Sequence, residues 1–551
     1  MDEPIVLHWA DIAIIFVYLG AMVLVGVYHS GKQDSLQEFF LARKGMSWIP
    51  VGISLMAALN SGMDYINMPS VVINYGWIVM LQTLSWIIIY PYVFYLILPM
   101  FRRLDVMSAY EFLGLRFGEG VRTLTAVIFV LWRLGWMATA LYVPCLAITT
   151  AIGRPDLLLY MIVAVGVIVT FYTAMGGIKA VIWNDVAQFA IMMTGLLLTT
   201  VIVVSKVEGG VGAIVANLFQ EGIGNVPNPD IDQSTLFGKT VGYLSIPILL
   251  PTIVLGWAVR LVGFTSDQVM IQRFATARTI RQARKSFTIT AVSDSVWMLA
   301  LFFVGLALAT YVMGGGPVPE WVVANPDRVF PYFMAKVFPI GVTGFVLAAI
   351  LAASLSSIDS ALNSMTTVGM VDFYNRLIVG RSREGIPDDP AGQRRQVFIS
   401  RIATVLFGVL GISLSCFARN FGTLFHIANS LLGTFMGPML AIFWLGMFTR
   451  RCNSFSAILG GTIGTLSAVS LAFIGPVSRS EWASSVIAAA SGPDGLYVLQ
   501  SIGSISSAWI GPVGLFSTLL FGLLFGSLKD TDRADRWNWF GIVKTPLVES
   551  E

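Results

Sequence analysis

Apolar runs, each about twenty residues long, recur along this chain with charged or turn-forming stretches between them, and this decides most of what it can fold into. A segment in hydrocarbon has no water for its N–H and C=O groups. It must satisfy them within itself as a helix, or be one strand of a closed barrel. At about twenty residues each, the runs read as transmembrane helices. Thirteen candidate spans follow, at 12–28, 48–70, 77–101, 121–152, 157–173, 183–204, 240–264, 287–312, 335–372, 398–416, 425–448, 455–477 and 511–528. The 551 residues are 56% hydrophobic and only 12% charged, about half the charge of a soluble domain. The expectation is an all-α polytopic membrane protein with the lipid bilayer as its solvent. The start, MDEP, is acidic and has no basic leader region, so the first apolar run is expected to persist as a span.

Lys and Arg set the orientation. With the N-terminus outside, the loops that become cytoplasmic carry 25 of the 34 basic residues and the opposite loops 7, with Arg133 and Arg260 left inside spans. Cytoplasmic loops attract this excess, so the N-terminus is expected outside and the C-terminus in the cytoplasm of a plasma-membrane protein. The cluster RTIRQARK at 278–285 reads as such an anchor rather than as a lipid-headgroup site. The net charge of +3, distributed this way, gives no reason to expect a nucleic-acid partner. Cys145, Cys416 and Cys452 are scattered without metal spacing, as are His8, His29 and His426.

The stretch LAAILAASLSSIDSALNS, 347–364, is apolar overall yet carries Ser354, Ser356, Ser357, Ser360, Ser364, Asp359 and Asn363. On a helix, Ala353, Ser356, Ser360 and Ser364 form one stripe at i, i+3, i+4 spacing, with Asp359 and Asn363 beside it. Hydroxyl, carbonyl and carboxylate oxygens suit a hard, weakly bound monovalent cation, and no sulfur or imidazole lies nearby. The leading reading is a coupling sodium ion. The residues also allow a second reading, serines that permit close packing and bond back to their own backbone.

Two spans contain helix breakers. The second has Pro50, Gly52, Gly62 and Pro69 around SLMAALNSGMDYINM, and the seventh has Pro247, Pro251, Gly256 and Gly263. Broken helices at corresponding places of two repeats mark transporter binding sites. The two lie five spans apart, which points to a five-plus-five inverted repeat. The chain then divides into 1–47 (outer N-terminus, peripheral helix and cytoplasmic loop), 48–204 (first repeat), 205–239 (external loop), 240–448 (second repeat) and 449–551 (peripheral helices 12 and 13 and cytoplasmic tail). Asp64, Arg133, Asp185, Arg260, Asp294 and Asp359 lie in or at the edges of spans, where ionisable groups are costly and functional by default. The alternative for either arginine is a buried brace with an aspartate.

The run YTAMGGIKAVIWNDVAQ (172–188) resembles the GG-x-x-AV-x-W-x-D-x-x-Q signature of the sodium:solute symporter family. FFLARKGMSWIPVGISLMAA (39–58), SAYEFLGLRFG (108–118), SDQVMIQRFATARTIRQARKS (266–286) and SSIDSALNSMTTVGMVDFY (356–374) resemble that family too, in the right order over most of 10–450. The resemblance implies the LeuT-type inverted-repeat fold and alternating access driven by a sodium gradient. It implies a sodium site from the carbonyls of Ala57, Asn60 and Ala353 with the hydroxyls of Ser356 and Ser357. As in some members, it also suggests a second cation site from Asp185, Ser356, Asp359 and Ser360. The acid at 359 departs from the family pattern, and beside Asp185 it would either strengthen a cation site or hold a shared proton.

For the solute, positions matching those of sugar-carrying relatives are Asp64, Gln82 or Thr83, Arg260 and Asp294. Arg133 and Phe264 are further candidates, and Tyr65, Trp136 and Trp257 are aromatics able to stack on a ligand. The solute expected is a small hydroxylated molecule, a sugar or a sugar acid such as sialic acid. The alternative, prompted by SAYEFLGLRFG and LYVPCLAI (141–148), is a monocarboxylate or other small anion. No phosphate-binding loop suggests ATP drive and no nucleophile–base constellation suggests an enzyme. A channel would need a continuous polar pore, and a sensor an appended signalling domain. Oligomeric state is not legible in the sequence.

Overall fold

The computed structural model describes residues 7–30, 33–151, 154–217, 260–323, 326–380, 389–417, 424–505, 509–526 and 531–544. Every regular element among them is helical. Among the described residues eight helices are long and apolar enough to cross a membrane, and three shorter apolar ones accompany them at Trp48–Leu59, Gly433–Phe448 and Ile510–Leu524. The expected seventh span lies outside the described residues up to position 259, so the count of thirteen is not read from the structure. The elements that build the site are α1 (Trp9–Ser30), α2 (Trp48–Leu59), α3 (Gly62–Tyr75), α4 (Trp86–Tyr92), α5 (Glu119–Ala151), α6 (Leu158–Lys206), α7 (Gln268–Thr276), α8 (Ile280–Met313) and α9 (Val342–Val368).

The serine-rich helix α9 is the centre of the molecule. From Val346 to Val368 every residue is buried, and it packs most extensively on α6, then on α5 and α1. A helix buried all round must have its polar groups matched by neighbours rather than by water, which makes its hydroxyls and carboxylate informative. Small residues allow the approach: a Cβ at Gly195 would lie 2.5 Å from that of Ala349. Helix α1 holds the start of α9, where Asp11 Oδ1 accepts the backbone N–H groups of Gly341 and Gly344 at 2.8 and 2.7 Å. A carboxylate here satisfies helix-end donors and complements the helix dipole.

The expected second span is broken, and the capping chemistry shows where and why. Asn60 and Ser61 are extended, with φ, ψ of −106°, 154° and −135°, 168°. Ser61 begins α3 with a capping box: its Oγ accepts Met63 N–H, while Asp64 Oδ2 accepts the N–H of Ser61 at 2.7 Å. In an uninterrupted helix that N–H would serve the carbonyl of Ala57, four residues back. The Asp64 N–H instead goes to Ser61, three back, which releases the carbonyl of Asn60. The break therefore sits at Asn60–Ser61. Pro50 lies in the first turn of α2 and Pro69 within α3, so neither sets it.

The expected fifth and sixth spans join as α6, bent at Gly177. Its φ of +57° and a Cβ that would lie 2.8 Å from the carbonyl of Phe39 explain the second glycine of the GG pair.

Candidate ion and solute site

Two clusters of polar groups are buried where the break in the second span meets its neighbours. The first lies between the break and α9. Ser356 Oγ donates to the carbonyl of Ala57 at 2.9 Å and to that of Ala353 at 2.8 Å. Ser357 Oγ donates to the carbonyl of Asn60 at 2.8 Å and lies 3.5 Å from that of Ala353. The five oxygens expected to face sodium are thus brought together, three carbonyls and two hydroxyls, all on residues buried to 1% exposure or less. Each hydroxyl can turn its proton away and present a lone pair, so the set can become five neutral ligands without moving a backbone. Close approach is built in at Gly62, where a Cβ would lie 2.4 Å from both the carbonyl of Ile350 and Ser354 Oγ.

One turn further along α9, the residues of the expected second cation site surround a side chain that falls between the expected spans 240–264 and 287–312. Arg273 is 1% exposed. Its guanidinium donates to Asp185 Oδ2 at 3.0 Å, to Ser54 Oγ at 2.7 Å and to Ser360 Oγ. Ser54 donates to Asp185 Oδ2 at 2.5 Å, and Ser360 Oγ meets the carbonyl of Ser356 at 2.5 Å. Asp359 is reached by Tyr172 Oη at 3.2 Å and by Ser360 Oγ at 3.4 Å. Among the described residues, Asp185 Oδ1 is a buried oxygen with no hydrogen-bond partner. The neighbouring Gln272 joins Asn363 Oδ1 to the carbonyl of Phe40.

The expected solute residues divide. Arg260 and Asp294 form a buried ion pair at 2.7 Å, with Asp294 itself fully buried. Asp294 Oδ2 also accepts the indole N–H of Trp86 at 2.8 Å, and Oδ1 accepts Asn60 Nδ2 at 2.9 Å. The Arg260 guanidinium stands 5.4 Å from the Trp86 ring centroid and 3.4 Å from Ser85 Oγ. Asn60 belongs to both clusters: its carbonyl meets Ser357 and its amide meets Asp294. Asp64, half-buried, stands at the start of α3. Gln82 Nε2 lies 3.7 Å from Met68 Sδ, while Thr83 is turned back onto the carbonyl of Met80.

Phe264 is buried among Trp86, Phe274 and Phe287, with ring centroids 5.1 to 6.1 Å apart. Arg133 is not brought to this cluster. It pairs with Asp267, the residue that caps α7, and lies over the Trp132 ring. The brace allowed for Arg133 and Arg260 is what the geometry gives. Tyr65 is committed to the core, donating to the carbonyl of Met192 at 2.7 Å and packing edge-on against Trp297. Trp257 lies outside the described residues. The signal for Arg273 was present: Asp267, a capping residue, opens QVMIQRFAT, a short amphipathic helix rather than an exposed loop.

A buried, unwound helix that places backbone carbonyls against the hydroxyls of a facing helix is the construction of a LeuT-type secondary transporter. The family model for the sodium:solute symporter family matches residues 39–464, and the chain belongs to that family. A sodium/sialic acid symporter of Aliivibrio fischeri is 30% identical over 449 residues, 81% of this chain and 84% of the relative. Human sodium-coupled monocarboxylate transporter 1 is 28% identical over 461 residues, 81% of this chain and 70% of the relative. Among solved structures, a sodium-coupled sialic acid symporter, substrate-bound and outward-open, aligns with a TM-score of 0.75 and 26% identity over 94% of this chain and 97% of that one. A nucleobase-cation-symport-1 family transporter aligns at a TM-score of 0.52 and 13% identity, over 92% of this chain and 98% of that one, and shares the fold alone. The protein is a sodium-coupled transporter, not an enzyme.

Proposed function

We propose that this chain carries a small hydroxylated organic solute, a sugar or sugar acid, together with sodium, through alternating exposure of one site. The observation that carries the reading is the meeting of the carbonyls of Ala57, Asn60 and Ala353 with the hydroxyls of Ser356 and Ser357. Sodium bound there replaces the two hydroxyl-to-carbonyl hydrogen bonds as the tie between the α2–α3 break and α9. The break is thereby ordered, and with it Asn60, Asp64 and the groups that face the solute.

No sulfur or imidazole joins the five ligands, so the ion is held by hard oxygens without net charge, suited to release on the far side. Each charge moved inward contributes about 2.3 kcal/mol per 100 mV of membrane potential in addition to its gradient. Around the ion, 48–204 and 240–448 act as the two inverted repeats, with the N-terminus outside and the C-terminus in the cytoplasm.

The second cation site, from Asp185, Ser356, Asp359 and Ser360, belongs to this reading in an amended form. The Arg273 guanidinium already stands on Asp185 and Ser360. A second ion enters by way of Asp185 Oδ1 and Asp359 when Arg273 withdraws, and while Arg273 stays, one sodium moves per solute. The solute meets Asp64, Gln82 and the Arg260–Asp294 pair. Relatives named for sialic acid and for monocarboxylates make a sugar acid and a small anion the two neighbouring alternatives.

Uptake into proteoliposomes tests the function: glucose, galactose, sialic acid, lactate and proline, each under an inward sodium gradient and, separately, an inward proton gradient. Sodium-driven accumulation of one of them is expected. Accumulation that ignores sodium and follows protons would remove the ion from the α2–α9 cluster and place the coupling on Asp185 and Asp359.

A further inference from the structure

The features with which a transporter of this build would receive an anion are already filled by the chain's own carboxylates. An unwound helix offers a solute carboxylate the N-terminus of its second half, where free N–H groups and the helix dipole converge. Here that place is taken by Asp64, whose Oδ2 accepts the N–H of Ser61 and closes the capping box, while Ser61 Oγ accepts the N–H of Met63. Arg260, the cation of the solute cluster, is held by Asp294. Arg133 is paired with Asp267, away from the cluster.

Exchange does not free Arg260 either. Asp294 is fully buried, and a solute carboxylate that displaced it would leave a buried carboxylate whose remaining partners among the described residues are Asn60 and Trp86. Removing one partner of a buried ion pair is strongly unfavourable, because the charge left behind has lost both its hydration and its counterion.

Charge balance gives the same answer. Asp64 and Asp294 against Arg260 leave one negative charge. The five oxygens proposed for sodium carry none, so one bound ion offsets the charge of this cluster, while Asp185 and Asp359 against Arg273, one turn along α9, form a separate cluster with a further negative charge. An uncharged solute keeps that balance, and an anion breaks it. Asp64 is half-buried with its Oδ2 on the N–H of Ser61, and Gln82 Nε2 lies 3.7 Å from Met68 Sδ on the same helix, α3. A carboxylate oxygen and an amide are acceptors and donors for hydroxyl pairs.

We propose that the solute is an uncharged, hydroxyl-bearing molecule that donates hydrogen bonds to Asp64, and that a carboxylate on it is rejected by Asp64 and Asp294. This rests on the symport reading above. It parts from the relatives named for sialic acid and monocarboxylates, and it selects the neutral sugar among the alternatives. The Arg260–Asp294 pair is then a positioning device that orients Asn60 and Trp86 rather than a clamp for an acid.

The test uses matched pairs that differ only in charge: glucose with glucuronate, galactose with galacturonate, and the methyl ester of sialic acid with sialic acid. Binding to the purified full chain in sodium is read as thermal stabilisation across a concentration series. At least one neutral member is expected to bind ten-fold or more tightly than its acid. Asp64→Asn and Asp294→Asn, each removing one negative charge, are expected to narrow that ratio by admitting the acid. An acid that binds as tightly as its neutral partner or more tightly, or a panel in which no neutral member binds, overturns the proposal, and should a variant fail to fold the wild-type ratios still decide it. Sodium added without solute separates this from failure of the symport reading. Stabilisation of the wild type by sodium that needs about ten-fold more sodium in Ser357→Ala upholds the ion site whatever the solute result, and its absence in the wild type removes both.

Discussion

Two polar clusters meet at Asn60, and they are built in opposite ways. Toward α9 lie three carbonyls and two hydroxyls with no charge among them. Toward α8 lies an ion pair in which the carboxylate is also bonded to an indole and an amide. The first is held by weak, neutral hydrogen bonds that an ion can replace, and the second by charges that suffer if either partner leaves. The difference teaches which polar groups a ligand can rearrange at little cost and which the chain's own charges hold in place. Asp64 at the helix end and Arg273 against Asp185 belong with the second kind.

The largest effect that would break this comparison is expected at the charged cluster. Asp294→Ala leaves Arg260 buried and unpaired, and a loss of about 3–5 kcal/mol is expected in unfolding of the purified protein. The double change Arg260→Met with Asp294→Leu removes both charges and is expected to recover most of that loss, which a melting curve checks. Gly62→Ala comes next. Its Cβ would stand 2.4 Å from the Ile350 carbonyl, a backbone atom that cannot turn aside, so α3 must lift from α9. Overpacking of this kind costs about 1–3 kcal/mol, and the sodium dependence of uptake is expected to weaken with it.

Ser357→Ala sharpens the comparison from the other side. It removes a single neutral hydrogen bond, so stability is expected to fall by only about 1 kcal/mol. The half-saturating sodium concentration is nevertheless expected to rise by about ten-fold, or about 1.4 kcal/mol of ion binding. A control closes the series. Thr194→Ala on α6 loses an exposed hydroxyl that bonds only the carbonyl of Ala190, and a change within about 0.5 kcal/mol is expected by the same melting curve.

Much of this was legible in the sequence because apolar surroundings make each polar residue conspicuous. The serines at 356 and 357 and the break near Gly62 stood out against hydrocarbon, and the family resemblance added the carbonyls that face them. The partners of the arginines were not legible. Asp267 and Arg273 fall between spans by hydropathy, and a charge there reads as a cytoplasmic anchor. Only the folding-in of α7 buries Arg273 to 1% exposure and sets it on Asp185. The exact break escaped as well, because Pro and Gly mark a region of weakness, whereas the capping box of Ser61 and Asp64 fixes the residue at which the helix stops. Arg133 and Arg260 looked alike in sequence. One turned out to brace α7 and the other to face the break, a difference that depends on partners distant along the chain.

The most direct test is binding of radioactive sodium to the purified protein without any solute, in the wild type, Ser357→Ala and Asp185→Asn. Saturable binding that weakens about ten-fold in Ser357→Ala, against a loss of only about 1 kcal/mol in stability, is the result expected if sodium sits between the break and α9. Binding that is identical in Ser357→Ala and wild type, and lost in Asp185→Asn, would contradict it and move the ion to the site where Arg273 now stands.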